Sequence, residues 1–161
     1  MSRPKIDEAK EQLRVLQKKV TGLKKMNPRK LDELFHEAHK KTFKSMDCLT
    51  CANCCKTTSP IFRKVDIDRI AKRMGMKSGK FEDFYLKVDE DGDFVLKSSP
   101  CAFLGNDNKC SIYEDRPLAC KEYPHTDRKN MYQILDLTTK NLEICPAVAH
   151  IVMGFETHVK K

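Results

Sequence analysis

Four cysteines fall within eight residues, Cys48-Leu49-Thr50-Cys51-Ala52-Asn53-Cys54-Cys55, and four more follow at Cys101, Cys110, Cys120 and Cys145. Thiolates are metal ligands, and two residues between successive cysteines let a chain curl until their sulfurs face a common centre. Cys54 and Cys55 are adjacent, so their side chains project differently; the pair serves two centres or includes one structural sulfur. Three cysteines at two-residue intervals, Cys48, Cys51 and Cys54, together with a remote Cys145-Pro146, are features of bacterial ferredoxin runs. This favours an iron–sulfur cluster of the 4Fe–4S type. Zinc is the alternative, because it also takes four thiolates. A workable partition puts Cys48, Cys51, Cys54 and Cys145 on one cluster and leaves Cys55, Cys101, Cys110 and Cys120 as a second site or as partly structural thiols.

Other side chains are weaker candidates. Arg116 could donate hydrogen bonds to cluster sulfurs or pair with an acidic neighbour. Tyr113 and Tyr123 read as packing residues. His125, five residues after Cys120, is the best histidine candidate for a ligand. His36 and His39 sit three apart on a helix and read as solvated or capping groups, with His150 and His158 as ordinary helix residues.

These residues must be positioned by a chain of 161 residues carrying a net charge of +8. Residues 1–73 hold 19 Lys/Arg against 9 Asp/Glu, and residues 74–161 hold 12 against 14. The basic half could meet nucleic acid or an acidic partner, although its lysines alternate with acids as on a solvated helix face and lack an aromatic platform. No run approaches the roughly 18 apolar residues of a membrane span. The N-terminus lacks the apolar core of a secretory signal, so a complete product of this sequence is expected in the reducing cytoplasm, where clustered thiols favour metal over disulfides.

Ile6, Ala9, Leu13, Leu16, Val20 and Leu23 alternate steps of three and four, the narrow stripe of a helix seeking a helical partner. Asn27-Pro28 breaks that helix and starts a second, with Leu31, Leu34, Phe35, Ala38 and Phe43 on one face. The stripe must bury against the second helix, the metal core or another copy of the chain, which makes the hairpin a candidate docking element for a protein partner. Beyond the cysteine cluster, Val65–Gly75 reads as a helix capped by Asp66, and Ser78–Tyr85 as another. The Asp89–Asp93 run reads as a hairpin turn between Phe84–Val88 and Phe94–Lys97, since it lacks the spaced ligands of a calcium loop. The turn-rich Gly105–Lys109 would bring Cys101 and Cys110 to a hairpin base. Pro117 opens a helical turn, Tyr132–Leu137 alternates as a strand, and Ala147–Phe155 closes the chain as a helix. The expected fold is α+β: a helical hairpin over residues 1–46, then a small metal-centred domain of short helices and hairpins over 47–161.

The run Cys48-x-x-Cys51-x-x-Cys54-Cys55, followed by Cys101-x-Phe103-Leu104, Cys110-x-Ile112-Tyr113-Glu114-x-Arg116-Pro117-x-x-Cys120 and Tyr123-Pro124, resembles the YkgJ-like cysteine-cluster family of zinc- or iron-chelating proteins. The resemblance covers about residues 48–146 and implies a zinc-binding or iron–sulfur protein. Related cysteine patterns occur in flagellin lysine methylases. Lys121 stands where the family commonly has arginine, and residues 1–45 inherit nothing from the motif.

Three function classes follow. The first is a metal module whose cluster plays a structural, electron-transfer or metal-handling role. The second is a zinc-stapled module binding nucleic acid or protein through basic helices. The third is a methyl-transferring enzyme, for which the sequence supplies no nucleotide-binding glycine loop and no Ser/His/Asp order.

Overall fold

The computed structural model describes residues 3–156, with side chains from residue 9 onward, so His158 and the side chain of Ile6 lie outside the described residues. In chain order the elements are α1 (Arg3–Leu23), α2 (Pro28–Thr42), α3 (Cys48–Cys51), α4 (Asn53–Thr57), α5 (Lys64–Arg73), α6 (Ser78–Tyr85), β1 (Leu86–Val88), β2 (Phe94–Leu96), a 3-10 turn (Tyr113–Asp115), α7 (Leu118–Glu122), a second 3-10 turn (Met131–Ile134), α8 (Leu135–Asn141) and α9 (Pro146–Met153). The class is α+β, predominantly helical with one two-stranded antiparallel sheet. The chain divides into two compact units. Residues 1–46 and 124–161 form the first, and residues 47–123 the second.

The first unit is built on the stripe of α1. Leu16, Val20 and Leu23 are buried together with Leu31 and Phe35 of α2 and with Met131, Leu135, Leu142, Val148, Ile151, Val152 and Phe155. Phe35 meets Phe155 edge to face at 5.0 Å. The stripe is thus satisfied by α2 and by the C-terminal helices. Asn27 starts α2, its Oδ1 accepting from the backbone N–H groups of Arg29 and Lys30 at 3.0 and 3.3 Å, with Pro28 in the first turn. At the C-terminal end of α9, Lys19 Nζ donates to the carbonyl of Met153, its last residue, at 3.2 Å and to that of Phe155 just beyond it at 2.8 Å, a cation placed where helix carbonyls lack partners.

Residues 132–137 are not a strand. They form the second 3-10 turn and the start of α8, because Met131, Leu135, Thr138 and Leu142 present a buried face at helical spacing. Asp32 reinforces this choice by accepting from the backbone N–H groups of Asn130 and Met131 at 2.9 and 2.8 Å. The alternation of Tyr132 to Leu137 carries no such burial, since Tyr132 and Leu137 are both exposed.

The second unit packs α5, α6 and the hairpin around Phe62, Ile67, Ile70, Phe81, Leu86, Leu96, Phe103 and Ile112. The hairpin pairs Leu86 with Leu96 and Val88 with Phe94. Asp89 Oδ1 accepts from the backbone N–H groups of Asp91 and Asp93 and so closes the acidic turn. Gly75 ends the α5 region with a φ of +67°, a conformation strained for residues with a Cβ. Asp66 is not the N-cap of α5. Arg63 holds that position, and Asp66, three residues on, reaches back to the Arg63 backbone N–H at 3.2 Å.

The division at residue 46 coincides with the end of the hairpin, but residues 124–161 pack with the N-terminal helices. Replacing fully buried Phe35 by alanine should lower stability by about 3–5 kcal/mol, whereas Tyr132→Ala should stay within about 0.5 kcal/mol. Urea unfolding of the two variants measures the contrast.

Candidate metal centre

Seven of the eight cysteines belong to the second unit. Asp47 caps α3 by accepting from the Leu49 backbone N–H at 2.9 Å, and the Ala52 N–H closes the turn onto the Cys48 carbonyl at 2.9 Å. Ala52 then takes a φ of +50°. That left-handed residue lets α3 stop and α4 start at once, so Cys48 and Cys51 lie on one short helix and Cys54 and Cys55 on the next.

The Cys55 carbonyl accepts from the Cys101 backbone N–H at 2.8 Å, which ties α4 to the second cysteine segment. Cys101 and Cys110 are brought together by the turn between them. The Leu104–Cys110 bridge, with Gly105 N–H to Lys109 carbonyl and Ser111 N–H to Phe103 carbonyl at 2.8 Å each, forms the narrow hairpin base. Phe103 and Ile112 plug this turn into the core of the unit. Cys120 arrives on α7, beyond the 3-10 turn and Pro117.

The electrostatics show which sulfurs are neighbours. Burial pushes the Cys120 thiol up to about 12, and the proximity of Cys55, Cys101 and Cys110 pushes in the same direction. Burial likewise raises Cys101 and Cys110, each also opposed by Cys55. Cys55 goes the other way. A hydrogen bond from the Cys54 thiol, outweighing burial and assisted by Lys56, holds it at about 6. Thiols from three stretches of chain therefore stand within each other's fields, and one of them is a thiolate at neutral pH.

Backbone amides are aimed at two of these sulfurs. The N–H groups of Phe103 and Leu104 point to Cys101 and that of Ile112 to Cys110, each favouring the thiolate. Amides directed at sulfur suit a metal-bound thiolate, whose remaining lone pairs they satisfy. The donor set thus fits a soft metal ion or an iron–sulfur cluster. The four thiols are neighbours without forming a closed cage: among the described residues no three His, Cys, Asp or Glu side chains already converge as a cation site.

The remaining candidates are dispersed. Arg116 stacks over the Tyr113 ring at 3.8 Å and donates to the Tyr113 carbonyl, while its charge favours the thiolates of Cys110 and Cys120. Cys145 belongs to the first unit, where it precedes α9 and packs at the edge of that core. His36 bonds the Arg128 carbonyl at 2.8 Å, His39 the Thr126 hydroxyl at 2.8 Å, and His150 the Thr42 hydroxyl at 3.2 Å. Burial lowers His39, leaving it largely neutral near pH 7. His125 lies in the first unit with a φ of +63°.

With this geometry in view, residues 47–146 match a family model named CxxCxxCC and described as "Putative zinc- or iron-chelating domain". The chain belongs to the CxxCxxCC family. The matched range contains all eight cysteines and begins where the second unit begins. A zinc- or iron-chelating role is therefore the family-level function of this chain. No curated protein and no solved structure matches it significantly.

One group of residues had no place among the sequence candidates. Asp66 is fully buried and accepts from Arg63 Nε at 2.9 Å and from the Arg69 guanidinium at 2.8 Å. Burial alone would raise its carboxyl, but these two arginines overcome that and hold it at about 2. The available signal was an acid and a base three apart, Asp66 and Arg69, beside the apolar Ile67 and Ile70.

In metal-free reduced protein, alkylation of Cys55 should rise about tenfold between about pH 5 and pH 7 and then level off, since its thiolate forms as pH rises through about 6. Cys120 should remain unmodified over the same range. Peptide mapping of iodoacetamide adducts reads both sites.

Proposed function

We propose that the second unit carries an all-thiolate iron centre, an iron–sulfur cluster ligated by Cys55, Cys101, Cys110 and Cys120, and serves in electron transfer or metal handling. The observation that carries this reading is the electrostatic proximity of those four thiols, drawn from three separate stretches, with backbone amides directed at Cys101 and Cys110. Cys48, Cys51 and Cys54 lie on the two short helices next to Cys55 and supply further donors. Seven thiols in one unit exceed the four that one tetrahedral zinc ion or one iron–sulfur cluster takes, which leaves donors for a second centre. None of these thiols is fully buried, which suits exchange with a partner better than a sealed staple.

Each residue has a part in holding the centre. Cys55 offers a ready thiolate, the hairpin base fixes the spacing of Cys101 and Cys110, and Arg116 sets a positive charge near Cys110 and Cys120. A cluster bound there would supply one-electron chemistry. Zinc is the second reading, favoured by the same four-thiolate set, and would act as a structural cross-link.

A further observation bears on partners. The first unit contains 18 Lys/Arg against 10 Asp/Glu and the second 13 against 13, so the whole net charge of +8 resides in the first. An acidic partner, protein or nucleic acid, would be drawn to that unit.

Anaerobic purification followed by iron, zinc and acid-labile sulfide analysis decides between the readings. Iron with matching sulfide supports the cluster, zinc without sulfide supports the cross-link, and neither metal would overturn both. Cys120→Ser should abolish stable loading at the four-thiol centre, measured as metal retained after desalting.

A further inference from the structure

Cys120 differs from its neighbours in how it is held. Cys101 and Cys110 sit on a turn closed by its own backbone hydrogen bonds, and Cys55 is tied directly to Cys101. Cys120 rides on α7, a helix of five residues with no side-chain cap, far below the length at which a helix persists by itself. Something outside α7 must fix its position.

Buried Asp66 and its half-buried partner Arg69 do this through the backbone. The Arg69 guanidinium donates to the carbonyls of Asp115 and Arg116, both at 3.0 Å, while also donating to Asp66 at 2.8 Å. The Leu118 N–H, the first of α7, points at Asp66 Oδ1 at 3.4 Å. Arg63 completes the set around Asp66, and Arg73 bonds the Asp115 carboxylate at 2.9 Å. One buried carboxylate thus orients a planar fork, and that fork grips the two residues that lead into Pro117 and α7. The hydrogen bonds that Arg69 and Asp66 make to residues 115, 116 and 118 are all to main-chain atoms, so they set where the chain runs.

We infer that Asp66 and Arg69 are positioning residues of the thiolate centre, fixing α7 so that Cys120 stands beside Cys55, Cys101 and Cys110. This rests on the metal-centre reading for its consequence in metal binding, but its structural content does not require metal. Lysine does not reproduce Arg69 here, because it has no counterpart of Nε, which donates to the Asp115 carbonyl at 3.3 Å in the plane that also carries Nη2 to Asp66 and both carbonyls.

The test compares full-length Arg69→Lys with two controls. Arg73→Lys alters the neighbouring pair that touches only the Asp115 side chain, and Ile70→Val lowers stability generally at a fully buried site on the same helix. In metal-free reduced protein, amide hydrogen exchange of residues 115–122 should accelerate at least about tenfold in Arg69→Lys and not in the controls, with residues 101–112 unchanged in all three. Competition of anaerobic protein with a chromophoric chelator for Zn2+ and Co2+ should show affinity reduced about 10- to 100-fold in Arg69→Lys, and the thiolate-to-cobalt spectrum should change. Unaltered exchange over residues 115–122 overturns the inference, as does an equal loss in Ile70→Val. If wild-type protein takes up no metal, the metal-centre reading fails while the exchange contrast still decides the role of the clamp.

Discussion

Sulfurs that can ligate one centre also repel one another once ionised. Two unit charges at about 4 Å interact by about 4 kcal/mol at an effective dielectric near 20, so assembling four thiolates without a cation is strongly opposed. The second unit carries this opposition in its proton affinities. Cys55 ionises readily, and burial, reinforced by the charge of Cys55, raises Cys101, Cys110 and Cys120 and favours their protonated forms. A bound cation reverses the sign of this interaction, so the arrangement is one in which metal and neighbouring sulfurs stabilise each other.

Holding such a site falls to elements too short to be stable alone. α3, α4 and α7 have four or five residues each, and the hairpin strands have three. Their positions come from tertiary anchors. Phe103 and Ile112 enter the core on either side of the Gly105–Lys109 turn, and Phe81 stacks on Phe103 at 6.0 Å. The polar anchor is Asp66, whose burial is tolerable only because its charge is matched by arginines; removing a partner from such a pair leaves an uncompensated buried charge. Apolar packing and one buried ion cluster therefore divide the task of placing the sulfurs.

The first unit follows a different logic. Its first two helices run 21 and 15 residues, its core is formed by regular helical faces, and His36, His39 and His150 are engaged by carbonyl and hydroxyl groups of the same unit. It also holds the excess positive charge of the chain. The chemistry-bearing thiols and the charged surface are thus assigned largely to separate parts of the chain, with Cys145 the one cysteine on the basic side.

Much of this was legible in the sequence because it depends on local chemistry. Asn27-Pro28 caps a helix wherever it occurs, the Asp-Gly run closes a hairpin, and a turn-rich segment between Cys101 and Cys110 brings its ends together, so α2, β1–β2 and the hairpin base all follow from near neighbours. The cysteine spacing identified metal chemistry for the same reason. Three features depended on residues far apart in the chain and were settled by tertiary structure. Residues 132–137 alternate like a strand, but the buried face shared by Met131, Leu135 and Leu142 and the amides capped by Asp32 make them helical. The C-terminal helices joined the first unit because the apolar stripe of α1 needed more surface than α2 offers. Asp66 looked like a helix cap, yet its carboxylate also meets the Leu118 amide 52 residues away, a relation that no spacing rule encodes because it exists only once the core has brought the two segments together.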